Sequence, residues 1–255
     1  MKITEPTVGA PCWVQLGSAA PAVAEQFYGE LFGWRAETDP DPAAGGYTTM
    51  FVDTAPVAGL APLPEPGQPA TWAVSFATAG VDATAVLVMA AGGHLLMEPT
   101  EVLGLGRFAV ARDPSGAVFS LWQARTFQGT GLLNEPGSLG WVELATRDPA
   151  GAAAFYARVF GWSVNAGAGY TQWGIDGQDF GGMLDMGDSV PPEAPPSWMP
   201  YFAVADVDLT AERAVVLGGG VQVPPVRMGG VRRLAVLRDA QGAVFGVYAE
   251  GEGAA

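Results

Sequence analysis

Hydrophobic and polar positions follow two periods along this chain. "WVQLG", from Trp13 to Gly17, alternates as a half-buried strand does. "PAVAEQFYGELFGW" then sets Val23, Phe27, Tyr28, Leu31 and Phe32 on one helical face, which predicts a helix. Gly33 suits the left-handed position that ends it. The pattern returns later. "PAGAAAFYARVFGW" sets Phe155, Tyr156, Val159 and Phe160 alike, with Asp148 as N-cap, Pro149 at the first helical position and Gly161 as the stop. "FYGELFGW" and "FYARVFGW" begin at Phe27 and Phe155, 128 residues apart.

The echo extends beyond the helix. "CWVQLGS" answers "GWVELAT", "GGYTT" answers "AGYTQ", "TWAVSFATAGVDATA" answers "SWMPYFAVADVDLTA", and "RDPSGAVFSLW" answers "RDAQGAVFGVY". A unit of roughly 125 residues is domain-sized, not the short period of a solenoid. This predicts a first domain over 8–124, a linker over 125–137 in which the Gly-rich "FQGTGLLNEPGSLG" stretch begins, and a second domain over 138–250. Inside each domain the order strand, helix, three strands is written twice, giving four βαβββ modules and an α+β fold.

Composition narrows the partners. Apolar residues make up 49 % of the chain and charged ones 15 %, enough for real cores. The net charge of −14 repels a phosphate backbone and an anionic membrane surface. There is one cysteine, Cys12, and one histidine, His94. No internal disulfide is therefore available, and a cytoplasmic location is expected because no apolar signal segment follows Lys2.

Paired βαβββ modules with these motifs resemble the vicinal oxygen chelate superfamily, also called the glyoxalase/bleomycin-resistance/dioxygenase superfamily. "WVELATRDPAGAAAFY" resembles its first strand and helix, and "DPSGAVFSLW" its closing strand. The tandem form with "NEPG" between the halves is similar to two-domain glyoxalase-like proteins common in actinobacteria. The resemblance implies that each domain forms a U-shaped, partly closed eight-stranded sheet around a cavity, with helices outside. It also implies a divalent metal in that cavity, but the implied ligand positions fall on Trp13, Ala73 and Ser120 in one half and on Trp141, Met199 and Gly246 in the other. Asp185 lies near the fourth position. A lone histidine cannot supply a two-histidine site, so no metal and no cofactor are expected. Cys12 has no neighbouring histidine or base to activate it.

Strand alternation gives the inward residues instead. Trp13 and Trp141 point into the cavities, and Gln15 and Glu143 follow two residues on. Ser75, Ser120 and Trp122 join the first cavity; Met199, Tyr201 and Tyr248 join the second. Trp72 and Trp198 have the opposite parity and face helices or the other domain. Such cavities suit a flat aromatic or hydrophobic molecule stacked on indole, with Gln15 as a hydrogen-bonding group. Glu143 is the candidate catalytic acid or base. Arg107 and Arg233 recur and either close a rim or pair with an acid. The first expectation is a binding protein for a small aromatic or hydrophobic molecule. The alternatives are a metal-independent isomerase, lyase or cyclase of secondary metabolism using Glu143, a metal-dependent glyoxalase-like lyase or dioxygenase, and a protein-interaction pair. A homodimer is left open.

Overall fold

The computed structural model describes residues 1–63, 65, 67–167, 170–187, 190–228 and 232–250. The first half runs β1 (Pro11–Ser18), α1 (Pro21–Phe32), β2 (Arg35–Thr38), β3 (Thr48–Val52), β4 (Ala55–Pro62), β5 (Thr71–Ala77), α2 (Val81–Ala90), β6 (His94–Val102), β7 (Gly106–Arg112) and β8 (Val118–Ala124). The second half repeats it: β9 (Leu139–Thr146), α3 (Pro149–Phe160), β10 (Ser163–Ala166), β11 (Thr171–Ile175), β12 (Gln178–Asp185), β13 (Ser197–Ala203), α4 (Val207–Val216), β14 (Gly220–Met228), β15 (Arg232–Arg238) and β16 (Val244–Glu250).

Each half forms one mixed eight-stranded sheet, in the orders β2-β3-β4-β1-β5-β8-β7-β6 and β10-β11-β12-β9-β13-β16-β15-β14. The two modules of a half meet along the antiparallel β1–β5 and β9–β13 pairs. The residues that open each module therefore lie side by side at the middle of each sheet. Neither sheet closes into a barrel.

The helices lie outside each sheet, and that outside is the interface between the halves. One large core joins Val14, Leu16, Trp72, Val74 and Phe76 to Val142, Leu144, Trp198, Phe202 and Phe245. Helix α1 brings Ala24, Phe27 and Tyr28 into it. Val23, expected on that face, is 45 % exposed, because the buried stripe is narrower than the apolar one. The N-caps and stops follow the sequence more closely. The Asp148 carboxylate accepts the Gly151 N–H, and Gly33 and Gly161 sit at φ 74° and 75°. Helix α1 has no side-chain cap of its own. Instead Gln241, from the other half, accepts the Ala20 N–H and the Ser18 hydroxyl proton and donates to the Ala20 carbonyl.

The Phe-Tyr repeat fastens the halves together. The Tyr28 hydroxyl donates to Asp239 Oδ2 at 3.1 Å and accepts from Trp72 Nε1 at 3.1 Å. The same relay runs the other way: Trp198 Nε1 donates to Tyr156, and Tyr156 donates to Asp113 Oδ2 at 3.0 Å. All six side chains are buried. Arg107 and Arg233 pair with acids rather than closing a rim. Arg107 meets Asp82 and Arg233 meets Asp208, tying β7 to α2 and β15 to α4 at the surface.

Replacing Tyr28 by Phe leaves one carboxylate oxygen and one indole N–H buried without that partner. The expected loss is about 1–3 kcal/mol of unfolding free energy, and Tyr28→Phe with Tyr156→Phe loses roughly twice that. Denaturant unfolding measures it; a double variant as stable as the parent would rule out the relay as an interdomain fastening.

Candidate functional site

Beyond the shared core, each concavity holds a small apolar cluster of its own. The first contains Cys12, Trp13, Ala77 and Trp122, with Phe108 and Phe127 packed against them. The second contains Tyr201, Ala203, Val236 and Tyr248, with Trp141 and Met199 against them. These clusters bring Trp13 together with Trp122, and Trp141 together with Met199, Tyr201 and Tyr248.

The first concavity is open. A cavity of about 420 Å³ is lined by Trp13, Gln15, Ser75 and Trp122, together with Tyr47, Phe108, Phe127, Leu103 and Leu105. Ser120 pairs beside Ser75 in the sheet but does not line it. Phe127 stands edge-on to Trp13 at 4.9 Å. Trp13 Nε1 donates to the Tyr47 hydroxyl at 2.8 Å, which fixes the indole as one wall. Gly59 makes room for that pair, since a Cβ there would strike the Tyr47 hydroxyl and the Trp13 ring. Gln15 is half-buried, and among the described residues its amide has no hydrogen-bond partner. Tyr47 accepts from Trp13 and donates to no described residue; burial pushes its phenol up to about 12, so it stays protonated.

The second concavity is filled from within. Tyr170 accepts from Trp141 Nε1 at 3.0 Å and donates to Glu143 Oε2 at 2.9 Å. Tyr201 donates to Glu143 Oε1 at 3.1 Å. The space for these phenols comes from Gly182 and Gly246, where a Cβ would collide with Tyr170 and Tyr201 respectively. Glu143, Met199 and Tyr201 line neither the first cavity nor a second one of about 540 Å³. That second space lies between the N-terminal segment, the linker and the second sheet, and Trp141, Tyr248 and Arg232 border it. Burial raises the Glu143 carboxyl above its ordinary value, and the two phenol hydrogen bonds oppose this.

Several contributors escaped the sequence reading. Tyr47 and Tyr170 were visible only as the repeated tyrosine of "GGYTT" and "AGYTQ", ahead of an outlying strand. Phe127 comes from the linker, and Arg232 from a position that is Gly106 in the first half.

The donor set does not fit a divalent cation. The positions implied for metal ligands hold Trp13, Ala73 and Ser120, and Trp141, Met199 and Gly246. In the second concavity the inward carboxylate beside those positions is Glu143, and tyrosine hydroxyls donate to both its oxygens. Asp185 is exposed and accepts from the Gly187 N–H. His94 is exposed at the start of β6. Among the described residues no three His, Cys, Asp or Glu side chains converge. Cys12 is buried, donates to the Ser75 carbonyl, and its thiol is pushed far above the usual range by burial. It is therefore a packing residue rather than a nucleophile. No helix among the described residues is long and apolar enough to cross a membrane.

Comparison with known proteins agrees with the fold. The family model of the Glyoxalase/Bleomycin resistance protein/Dioxygenase superfamily matches residues 13–121 and again 138–247. The anthracycline biosynthesis protein DauV of Streptomyces sp. (strain C5) is 41 % identical over 94 % of this chain and 92 % of its own length. The putative glyoxylase CFP32 of Mycobacterium bovis is 37 % identical over 96 % of this chain and 97 % of its own. Among solved structures, the Mn(II)-bound glyoxalase from Novosphingobium aromaticivorans superposes with a TM-score of 0.69 at 18 % identity, covering 96 % of this chain and 84 % of that one. The 2,3-dioxygenase LapB from Pseudomonas sp. KL28 gives 0.69 at 14 %, covering 97 % and 94 %. At such identities these two share the fold alone. With both repeats matched and the paired modules in place, the chain belongs to the Glyoxalase/Bleomycin resistance protein/Dioxygenase superfamily.

Proposed function

We propose that this chain binds a flat aromatic or hydrophobic small molecule in the cavity of its first domain, without a resident metal. The observation that carries the reading is the open aromatic cavity in which the Gln15 amide has no hydrogen-bond partner among the described residues. Trp13, Trp122 and Phe127 supply stacking and edge contacts. Gln15 and the Tyr47 hydroxyl are the polar pair placed to fix a carbonyl or hydroxyl of the guest. The relatives named for anthracycline biosynthesis support a polycyclic aromatic product of secondary metabolism as the guest class. The net charge of −14 sets the protein against nucleic acid and anionic membranes as partners.

A second reading rests on Glu143. A half-buried carboxyl whose pKa is raised by desolvation holds its proton more tightly than an exposed one and is suited to acid–base chemistry in an isomerase, lyase or cyclase. For that role Tyr170 or Tyr201 must leave the carboxylate and admit a substrate. The open first cavity needs no such rearrangement, which is why binding there is preferred.

Titration with a hydroxyanthraquinone is the direct test. Saturable quenching of tryptophan fluorescence is expected, and Gln15→Leu weakens the affinity about fivefold, the equivalent of one hydrogen bond at ~1 kcal/mol. No saturable quenching, or a Gln15→Leu variant that binds equally well, counts against the site. Exhaustive chelation is expected to leave the affinity unchanged; a loss restored by added Mn(II) or Zn(II) would overturn the metal-free reading.

The Glu143 proton has its own signature. Its folded-state pKa lies above the ordinary 4.5, so the folded chain holds that proton more tightly than the unfolded one. Stability therefore falls as pH rises through the unfolded value and up to the folded one, and the cost is absent below both. Glu143→Gln removes the titration. The Tm of the variant relative to the parent should thus improve as pH rises through the unfolded value of 4.5 and level off once the folded value is passed. A difference independent of pH would mean that Glu143 is not held as a buried acid.

A further inference from the structure

We infer that the first cavity is built for a guest that brings its own positive charge: a flat aromatic ring system carrying a protonated amine. This rests on the binding role proposed above and adds the charge of the ligand to it.

The two halves of the chain provide the comparison. In the second half the Arg232 guanidinium lies over the Trp141 ring at 5.0 Å and over the Tyr248 ring at 5.5 Å. A cation over an inward aromatic pair is held by the ring quadrupoles. The matching aromatic pair in the first half is Trp13 and Trp122, and the position matching Arg232 is Gly106. No side chain fits there, because a Cβ on Gly106 would collide with the Trp122 ring and the Gln123 carbonyl. The first half thus keeps the aromatic pair and excludes the chain's own cation.

The surroundings have the sign that such a guest needs. Among the described residues no Lys, Arg or His lines the first cavity, whereas Asp39 and Glu101 both do. Glu101 shares its charge with Arg125 at 2.7 Å, and Arg125 does not line the cavity. Asp39 accepts the Asp41 N–H and forms no ion pair among the described residues. An ammonium entering between these carboxylates gains from the local charge and from the field of a chain at −14. An anionic guest meets repulsion from both.

Three probes on one ring system separate charge from stacking: aminomethylanthracene, hydroxymethylanthracene and anthracene carboxylate, followed by probe fluorescence anisotropy against the full chain. The ammonium is expected to bind about tenfold tighter than the alcohol, the size of a partly desolvated cation–π contact, and the carboxylate weakest. Raising the salt should shrink the ammonium-to-alcohol ratio. Asp39→Asn combined with Glu101→Gln, both exposed positions, should bring that ratio towards one. Equal binding of ammonium and alcohol, or tightest binding of the carboxylate, would overturn this inference and leave the aromatic-binding role standing. Binding of none of the three would overturn both.

Discussion

The structure depends on two buried hydroxyls. Tyr28 and Tyr156 each take an indole proton from one sheet and give their own to an aspartate of the opposite half. Those aspartates are otherwise fully employed. Asp113 Oδ1 accepts the Ser115, Gly116 and Ala117 N–H groups, and Asp239 Oδ1 those of Gln241 and Ala243. Each turn aims the strand after it, β8 or β16, whose inward side chains furnish a concavity. The tyrosine of one domain thus holds the turn that shapes the cavity of the other. A buried carboxylate with several N–H donors and a phenol tolerates no loss of a partner without a desolvation cost. This accounts for the close matching of "FY" and "RDxxGAVF" between the halves while residues between them differ.

With the outward faces constrained by that shared core, the inward faces are free to diverge. Ser75 stands where the second half has Tyr201, Gln15 where it has Glu143, and Ser120 where it has Gly246. The exchange at Ser75 decides the difference: the Tyr201 phenol, given room by Gly246, helps to fill the second concavity, whereas Ser75 leaves the first one open. Duplication supplied two identical frames, and packing decided separately what each encloses.

The fold was legible because repetition and period two are local signals. Counting from "FY" placed Trp13 and Trp141 on the inner faces, and alternation assigned Gln15, Ser75, Trp122 and Tyr248 with them. The difference between an open and a filled cavity was not legible. It turns on Tyr170 reaching across to Glu143 and on glycines in neighbouring strands, none of which has a sequence spacing of its own. The interdomain role of Tyr28 was hidden for a related reason. A Phe-Tyr pair on a helix face reads as packing, and the hydroxyl's partner lies 211 residues away. Gln241 capping a helix of the other half is equally invisible to a local rule.

The middle of each sheet poses a last question, namely what joins its two modules where their first strands meet. In the second half the answer is Glu143. From β9 it accepts one phenol from Tyr170, beside β11 of its own module, and another from Tyr201 on β13 of the next. Acceptor bonds from a single carboxylate to both modules perform the bridging that a central cation performs when oxygen donors surround it. In the first half Gln15 replaces Glu143, and Trp13 bonds Tyr47 within one module only. No side-chain hydrogen bond among the described residues runs from Gln15 to Ser75 across that seam. The first concavity therefore lacks the tie that closes the second.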